Sequence, residues 1–249
     1  VDTLRAEILR EYDARECAIN PFIGRAFEDA EAGALRVMTI GINAYLNSAD
    51  WPNQKPGWFA AWFDEGKHPF DRAVARDAST VASSLVSDSR LYSGLAFRGK
   101  ASIFHTNAIK TYLPEAIGKR SDQISPQRYV GHRATWHAEF EIMARHGVLP
   151  HVVIVFGRPF WEWAWQAFHR QYRPASTGIT VRRFTPASGD GLHYANLVDL
   201  EGAGGSHPLA LLGLRHPSAR ATSKASPEWL FSLPEVRRLL GMQPEKTAV

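Results

Sequence analysis

Apolar residues along this chain follow two rhythms: short runs bounded by turn residues, and stretches in which they recur every three or four positions. The short runs are Leu35 to Ile40, Ser102 to Thr106, Val152 to Phe156 and Leu209 to Leu214, and each reads as a buried strand. Helical spacing marks Thr3 to about Cys17, Asp71 to Val86, about Gln127 to His146, Pro159 to about Arg170, and Pro227 to Leu240 as a closing helix. Strands alternating with helices predict an α/β fold. The expected form is a three-layer α/β/α sandwich around a central, mostly parallel sheet of about four strands. Thr180 to Phe184 and Tyr194 to Val198 are further strand candidates, whose pairing the polar stretch Pro186 to Gly191 leaves open. No repeat or linker divides the 249 residues, so 1–249 is expected to be one domain, with 1–34 a helical extension packing on the sheet.

Parallel strands deliver their carboxyl ends to one rim of the sheet, so segments far apart in sequence can face one pocket. Three polar segments follow or end such strands. The first is Gly41-Ile42-Asn43-Ala44-Tyr45: glycine permits close backbone approach, asparagine offers a donor and an acceptor, and tyrosine a rigid wall. The second, Phe104 to Lys110, contains Asn107, whose planar amide could pair with a nucleobase edge, and Lys110, which would add phosphate affinity. The third is His216-Pro217-Ser218-Ala219-Arg220. There Pro217 stops the strand, Ser218 can bond a phosphate, and Arg220 can reach one or wedge into a duplex. Each also has a plainer reading, since asparagine after a strand often stabilises a turn and a lone histidine is often structural.

Charge sharpens this picture. The net charge is only +4, but no Asp or Glu occurs from Leu35 to Ala49, Lys100 to Pro114 or Gly202 to Pro227, the last stretch including Lys224. The pocket rim is therefore predicted to be electropositive. Of the 29 basic residues 22 are arginine, whose planar fork suits phosphate; general surface solubility would also account for so small a net charge. Cys17, the sole cysteine, falls in the first predicted helix and rules out an internal disulfide or a cluster held by several thiolates. With no apolar run near the ~18 residues of a membrane span and no signal pattern, a soluble, cytoplasmic protein is expected.

Together the three segments resemble the uracil-DNA glycosylase superfamily: Gly41 to Tyr45 as its first motif, Thr106-Asn107-Ala108-Ile109-Lys110 as its base-recognition strand end, and His216-Pro217-Ser218 as its second motif. The resemblance implies a monofunctional glycosylase that flips uracil, or other deaminated bases, out of DNA and leaves an abasic site in base excision repair. It implies no metal or organic cofactor. It assigns Asn43 to orienting the attacking water, His216 to hydrogen-bonding the base O2 as charge develops, and Asn107 to reading uracil. Gly41 and Ile42 line the base site, Tyr45 crowds its C5 position, and Lys110, Ser218, Arg220 and Lys224 meet DNA. A stacking aromatic should follow the first motif, with Phe59 the choice and Trp58 and Phe63 its rivals. The implied partners are uracil-containing single- or double-stranded DNA, abasic DNA and free uracil, with the protein a monomer.

The chain departs from the family in combining Asn43 with Tyr45, in having Ala44 between them, and in placing Ala219 and Arg220 where a leucine wedge is usual. Asn43 lacks a carboxylate, so an alternative is a non-catalytic or very slow binder of uracil-containing or abasic DNA. A third reading is an α/β hydrolase of a nucleotide or other small anion. Trp161 and Trp165 fall on one helical face and read as core. No His-x-x-x-His cluster paired with carboxylates appears, and Gly202 to Ser206 lacks the Lys-Ser/Thr ending of a phosphate loop and reads as a mobile loop.

Overall fold

The computed structural model describes residues 3–43, 57–110, 133–157, 180–187, 194–202, 205–217 and 226–243; for 42–43, 109, 133, 180–187, 201–202 and 205–206 it describes the backbone alone. Seven strands form one sheet: β1 (Phe22–Ile23), β2 (Val37–Asn43), β3 (Ile103–Ile109), β4 (Val152–Phe156), β5 (Thr180–Ala187), β6 (Tyr194–Gly202) and β7 (Gly205–Leu214), in the order β1-β3-β2-β4-β7-β6-β5. The four strands expected from the apolar runs, β2, β3, β4 and β7, pair in parallel at its centre. Antiparallel strands extend it at both edges, β1 on β3 and the β5–β6 ladder on β7. The sheet is thus larger than the four strands expected. The added strands are β1, at two residues too short to mark the hydrophobic pattern, and β5 and β6, which fall on the further candidates at 180–184 and 194–198.

Seven α-helices lie among the described residues: α1 (Leu4–Ala14), α2 (Arg25–Glu28), α3 (Trp58–Glu65), α4 (Pro69–Asp88), α5 (Arg133–Arg145), α6 (Pro227–Ser232) and α7 (Pro234–Leu239). Thr3 caps α1 by accepting from the Ala6 amide at 3.2 Å, and Leu4, Ile8 and Tyr12 form its buried stripe. The helix stops before Cys17, because Glu16 turns to φ 53°, so Cys17 sits half-buried beyond it. The closing helix is two: Pro234 has no N–H to continue the ladder of α6, and it opens α7 instead. The expected helix at 159–170 and Trp161 and Trp165 lie outside the described residues. Gly202 and Gly205 pair at the end of the β6–β7 ladder, so the flanks of the expected loop belong to strands, while Ala203 and Gly204 lie outside the described residues.

Strand periodicity sends alternate residues to two faces. Met38, Ile40, Phe104, Ala108, Val153, Val155, Leu209 and Leu211 bury against α1 and α5. Val37, Ile103, Val152, Ile154, Phe156, Ala210, Leu212 and Leu214 bury against α4, α6 and α7. Helices thus cover both faces of the sheet. Among the described residues no helix is long and apolar enough to cross a membrane.

Candidate functional site

The parallel strands β2, β3, β4 and β7 end on one rim, and the register there sets Gly41 beside Asn107 and Asn43 beside Ile109. Asn107 lies within β3 rather than after it, so its Cα is fixed by strand pairing. Its side chain is 1% exposed, and neither amide atom has a hydrogen-bond partner. A buried amide with nothing to bond costs about 1–3 kcal/mol per group left bare. An amide left bare in this way has both its donor and its acceptor available to a ligand edge. Gly41 makes room for it. A Cβ at position 41 would stand 2.4 Å from Asn107 Oδ1, closer than any real side chain tolerates.

Beneath this pair the same face carries Thr39 and His105, again in register. Thr39 Oγ1 and His105 Nδ1 lie 2.7 Å apart, and the imidazole is stacked on Phe63 with centroids at 4.3 Å. Burial pushes His105 down to about 3, so it stays neutral. It forms an uncharged floor under Asn107.

The wall comes from α4. His68 caps that helix, its Nδ1 accepting from the Phe70 amide at 3.1 Å, and Pro69 fills the first turn. This turn holds Phe70 so that its Cε1 lies 3.7 Å from where a Gly41 Cβ would stand. On the Phe70 ring stacks His216, two residues past the end of β7, with centroids 4.6 Å apart and planes within 9°. Asp71 follows in the same turn; it is buried with Oδ1 unpartnered, and desolvation raises its carboxyl to about 6 against the pull of Lys100 and Arg72.

Gly41, Asn107 and His216 are therefore brought to one rim, joined there by Phe70. Two expected residues are placed elsewhere. Phe59 is 3% exposed, packed between Trp58 and His105 in the core, and has no face to offer a base; the ring that stands at the rim against His216 is Phe70. Its rival Phe63 is also buried, stacked on His105. Lys110 is 0% exposed and cannot touch DNA, since its Nζ is spent on Tyr12 Oη at 2.7 Å, Glu139 Oε1 at 2.8 Å and Thr106 Oγ1. Asn43 ends β2 and Ile42 precedes it, each described by its backbone alone. Tyr45, Ser218, Arg220 and Lys224 lie outside the described residues. Phe70 sits in no motif, but the segment His68-Pro69-Phe70 opens the first long helix after Gly41 to Tyr45. That Pro-marked first turn was the available signal, because helices that cross back over a parallel sheet begin near the rim opposite the one they run to.

Among the described residues no three His, Cys, Asp or Glu side chains gather as metal ligands. The described rim instead offers a flat ring, an imidazole stacked parallel to it and a bare amide, a set suited to a planar heterocycle with polar edges. No protein-family model, no curated protein and no solved structure matches the chain.

Proposed function

We propose that this chain is a monofunctional DNA glycosylase that accepts uracil flipped out of DNA and hydrolyses its N-glycosidic bond. One observation carries the reading: a buried, unpartnered amide at Asn107 shares its rim with the parallel Phe70 and His216 rings. A base laid on Phe70 beside His216 lies in the plane of the imidazole. An imidazole N–H then meets a base carbonyl in that carbonyl's own plane, where acceptance is strongest. Asn107 Nδ2 donates to O4 and Oδ1 accepts from N3–H, whereas cytosine presents the opposite polarity at both atoms.

In the proposed reaction the bond from the sugar C1′ to the base N1 breaks with its electron pair leaving on the base, and His216 stabilises the anion by donating to O2. Water held by Asn43 then adds to C1′ and loses its proton to solvent. An amide is too weak a base to deprotonate that water early. Bond cleavage therefore runs ahead of attack, and placement of the water counts for more than its activation. Tyr45 excludes a C5 methyl, and Ser218, Arg220 and Lys224 grip phosphates, as the motif resemblance implies.

The test is release of free base from a uracil-containing oligonucleotide in EDTA, in single and double strands. Release supports the glycosylase. Tight binding of abasic duplex with no base released over hours would instead identify a binder, and turnover of mononucleosides with no DNA affinity a small-substrate hydrolase.

A further inference from the structure

Asn107 has no hydrogen bond of its own to aim its amide, so its aim depends on where the β3 backbone sets its Cα. That backbone is gripped from the other face of the sheet. Lys110 folds its side chain back along the chain, so that its Nζ donates to Thr106 Oγ1 and ties together two positions that bracket Asn107. The same Nζ donates to Glu139 Oε1 of α5 at 2.8 Å and to Tyr12 Oη of α1 at 2.7 Å, while Tyr12 Oη itself donates to Glu139 Oε1. The Lys110 carbonyl accepts from the Ala18 amide at 2.7 Å. All four side chains are buried.

Stability alone is a poor reason for such a cluster, because desolvating two charges costs about as much as their attraction returns. Its shape also argues against that reason. Glu139 Oε1 gathers Lys110, Tyr12 and Thr106, while Oε2 has no partner. A carboxylate used this way acts as a point of convergence for α1, β3 and α5. Tyr12 stays a protonated donor, since burial and the neighbouring Glu139 carboxylate hold its phenol well above the usual range.

We propose that Lys110 and Glu139 are positioning residues for Asn107, a buried clamp on the reverse face of β3 that fixes the reading amide through its backbone. This rests on Asn107 being the base reader. The N-terminal helix α1 thereby belongs to the recognition apparatus.

The test replaces both charges at once, Lys110→Met with Glu139→Leu, so that no charge is left buried alone. Two readouts are taken: uracil release, and the NMR signal of the Asn107 side-chain amide, assigned by its loss in Asn107→Ala. The expected result is a folded protein whose melting temperature is unchanged or higher. Its Asn107 amide signal is shifted or broadened, and kcat falls by about 10 to 100-fold while KM moves by no more than about threefold. An unchanged Asn107 signal overturns the proposal whatever the activity, as does unchanged turnover by an active enzyme. If the wild type releases no base, the glycosylase reading fails and the amide signal alone decides the clamp. Should the double variant not fold, Glu139→Gln, which removes the charge and keeps the shape, is read in the same two ways.

Discussion

The imidazole of His216 and the ring of Phe70 lie within 9° of parallel, with centroids 4.6 Å apart, although 146 residues separate them in sequence. One comes from the first turn of α4 and the other from just past β7. Phe70 is only partly buried against the core, edge-on to Phe156, so in the proposed glycosylase Phe70→Ala should cost more function than stability. Losing the proposed base-stacking ring is worth about 1–3 kcal/mol, so kcat/KM for uracil release should fall roughly 5 to 150-fold, with the melting temperature lowered far less than by Phe59→Ala. Phe59→Ala should do the reverse, destabilising the protein by about 3–5 kcal/mol as a core cavity opens. Thermal melts and single-turnover kinetics of both variants separate the two roles, and equal behaviour would refute the exchange of Phe59 for Phe70.

Gly41→Ala forces a methyl to within 2.4 Å of Asn107 Oδ1, so the amide must turn away. Base release should drop by about 10 to 100-fold, as for other small misplacements. Any stability cost of Gly41→Ala should shrink in an Asn107→Ala background, where the clash has gone. A double-mutant cycle by chemical denaturation measures this coupling.

Asn107→Leu should make the protein more stable and inactive. Both polar atoms of Asn107 are buried without partners, and an apolar residue of similar shape removes a penalty of about 1–3 kcal/mol per bare group. A urea midpoint no higher than that of the wild type would mean the amide is already satisfied in the free protein.

Stability should respond to pH in two opposed ways. Burial lowers His105 and His151 from 6.5 to about 3 in the folded chain. The unfolded chain therefore gains protons first as pH falls. Stability present above about 6.5 is lost on the way to about 3, with a slope approaching about 1.4 kcal/mol per pH unit for each histidine. Asp71 runs the other way. Its carboxyl is raised from 3.8 to about 6, so its contribution is complete below 3.8 and is lost as pH rises through about 6. Asp71→Asn should raise the melting temperature at pH 8 and leave it unchanged near pH 4; a gain equal at both would show that the carboxyl does not titrate as described.

The parallel core was readable in the chain because β4 and β7 run through the middle of the sheet, where both faces are buried and the sequence becomes continuously apolar. His216 was placed for the same reason, since it stands just past the end of such a run, whereas Asn107 lies inside β3, whose polar His105 and Thr106 made the strand look as if it ended early. Phe70 carried only the Pro-marked first turn of its helix as a signal, because its place against His216 is set by packing between distant elements, which no local pattern records. Lys110 misled for a physical reason. A lysine beside a polar strand end is ordinarily solvated, and only the fold brings Glu139, 29 residues on, and Tyr12, 98 residues before, to bury it.

β7 is held by β4 on one side and by β6 on the other, with nine residue pairs in the β6 ladder. A slip of one residue would carry His216 about 3.3 Å along the strand axis and turn every apolar side chain of β7 to the wrong face. His216, to which the proposed reaction assigns the departing charge, thus follows a strand locked by two ladders at once. The imidazole's place on Phe70 is therefore inherited from sheet register, and any change that shifts β7 against β4 or β6 is read at the rim as a displaced His216.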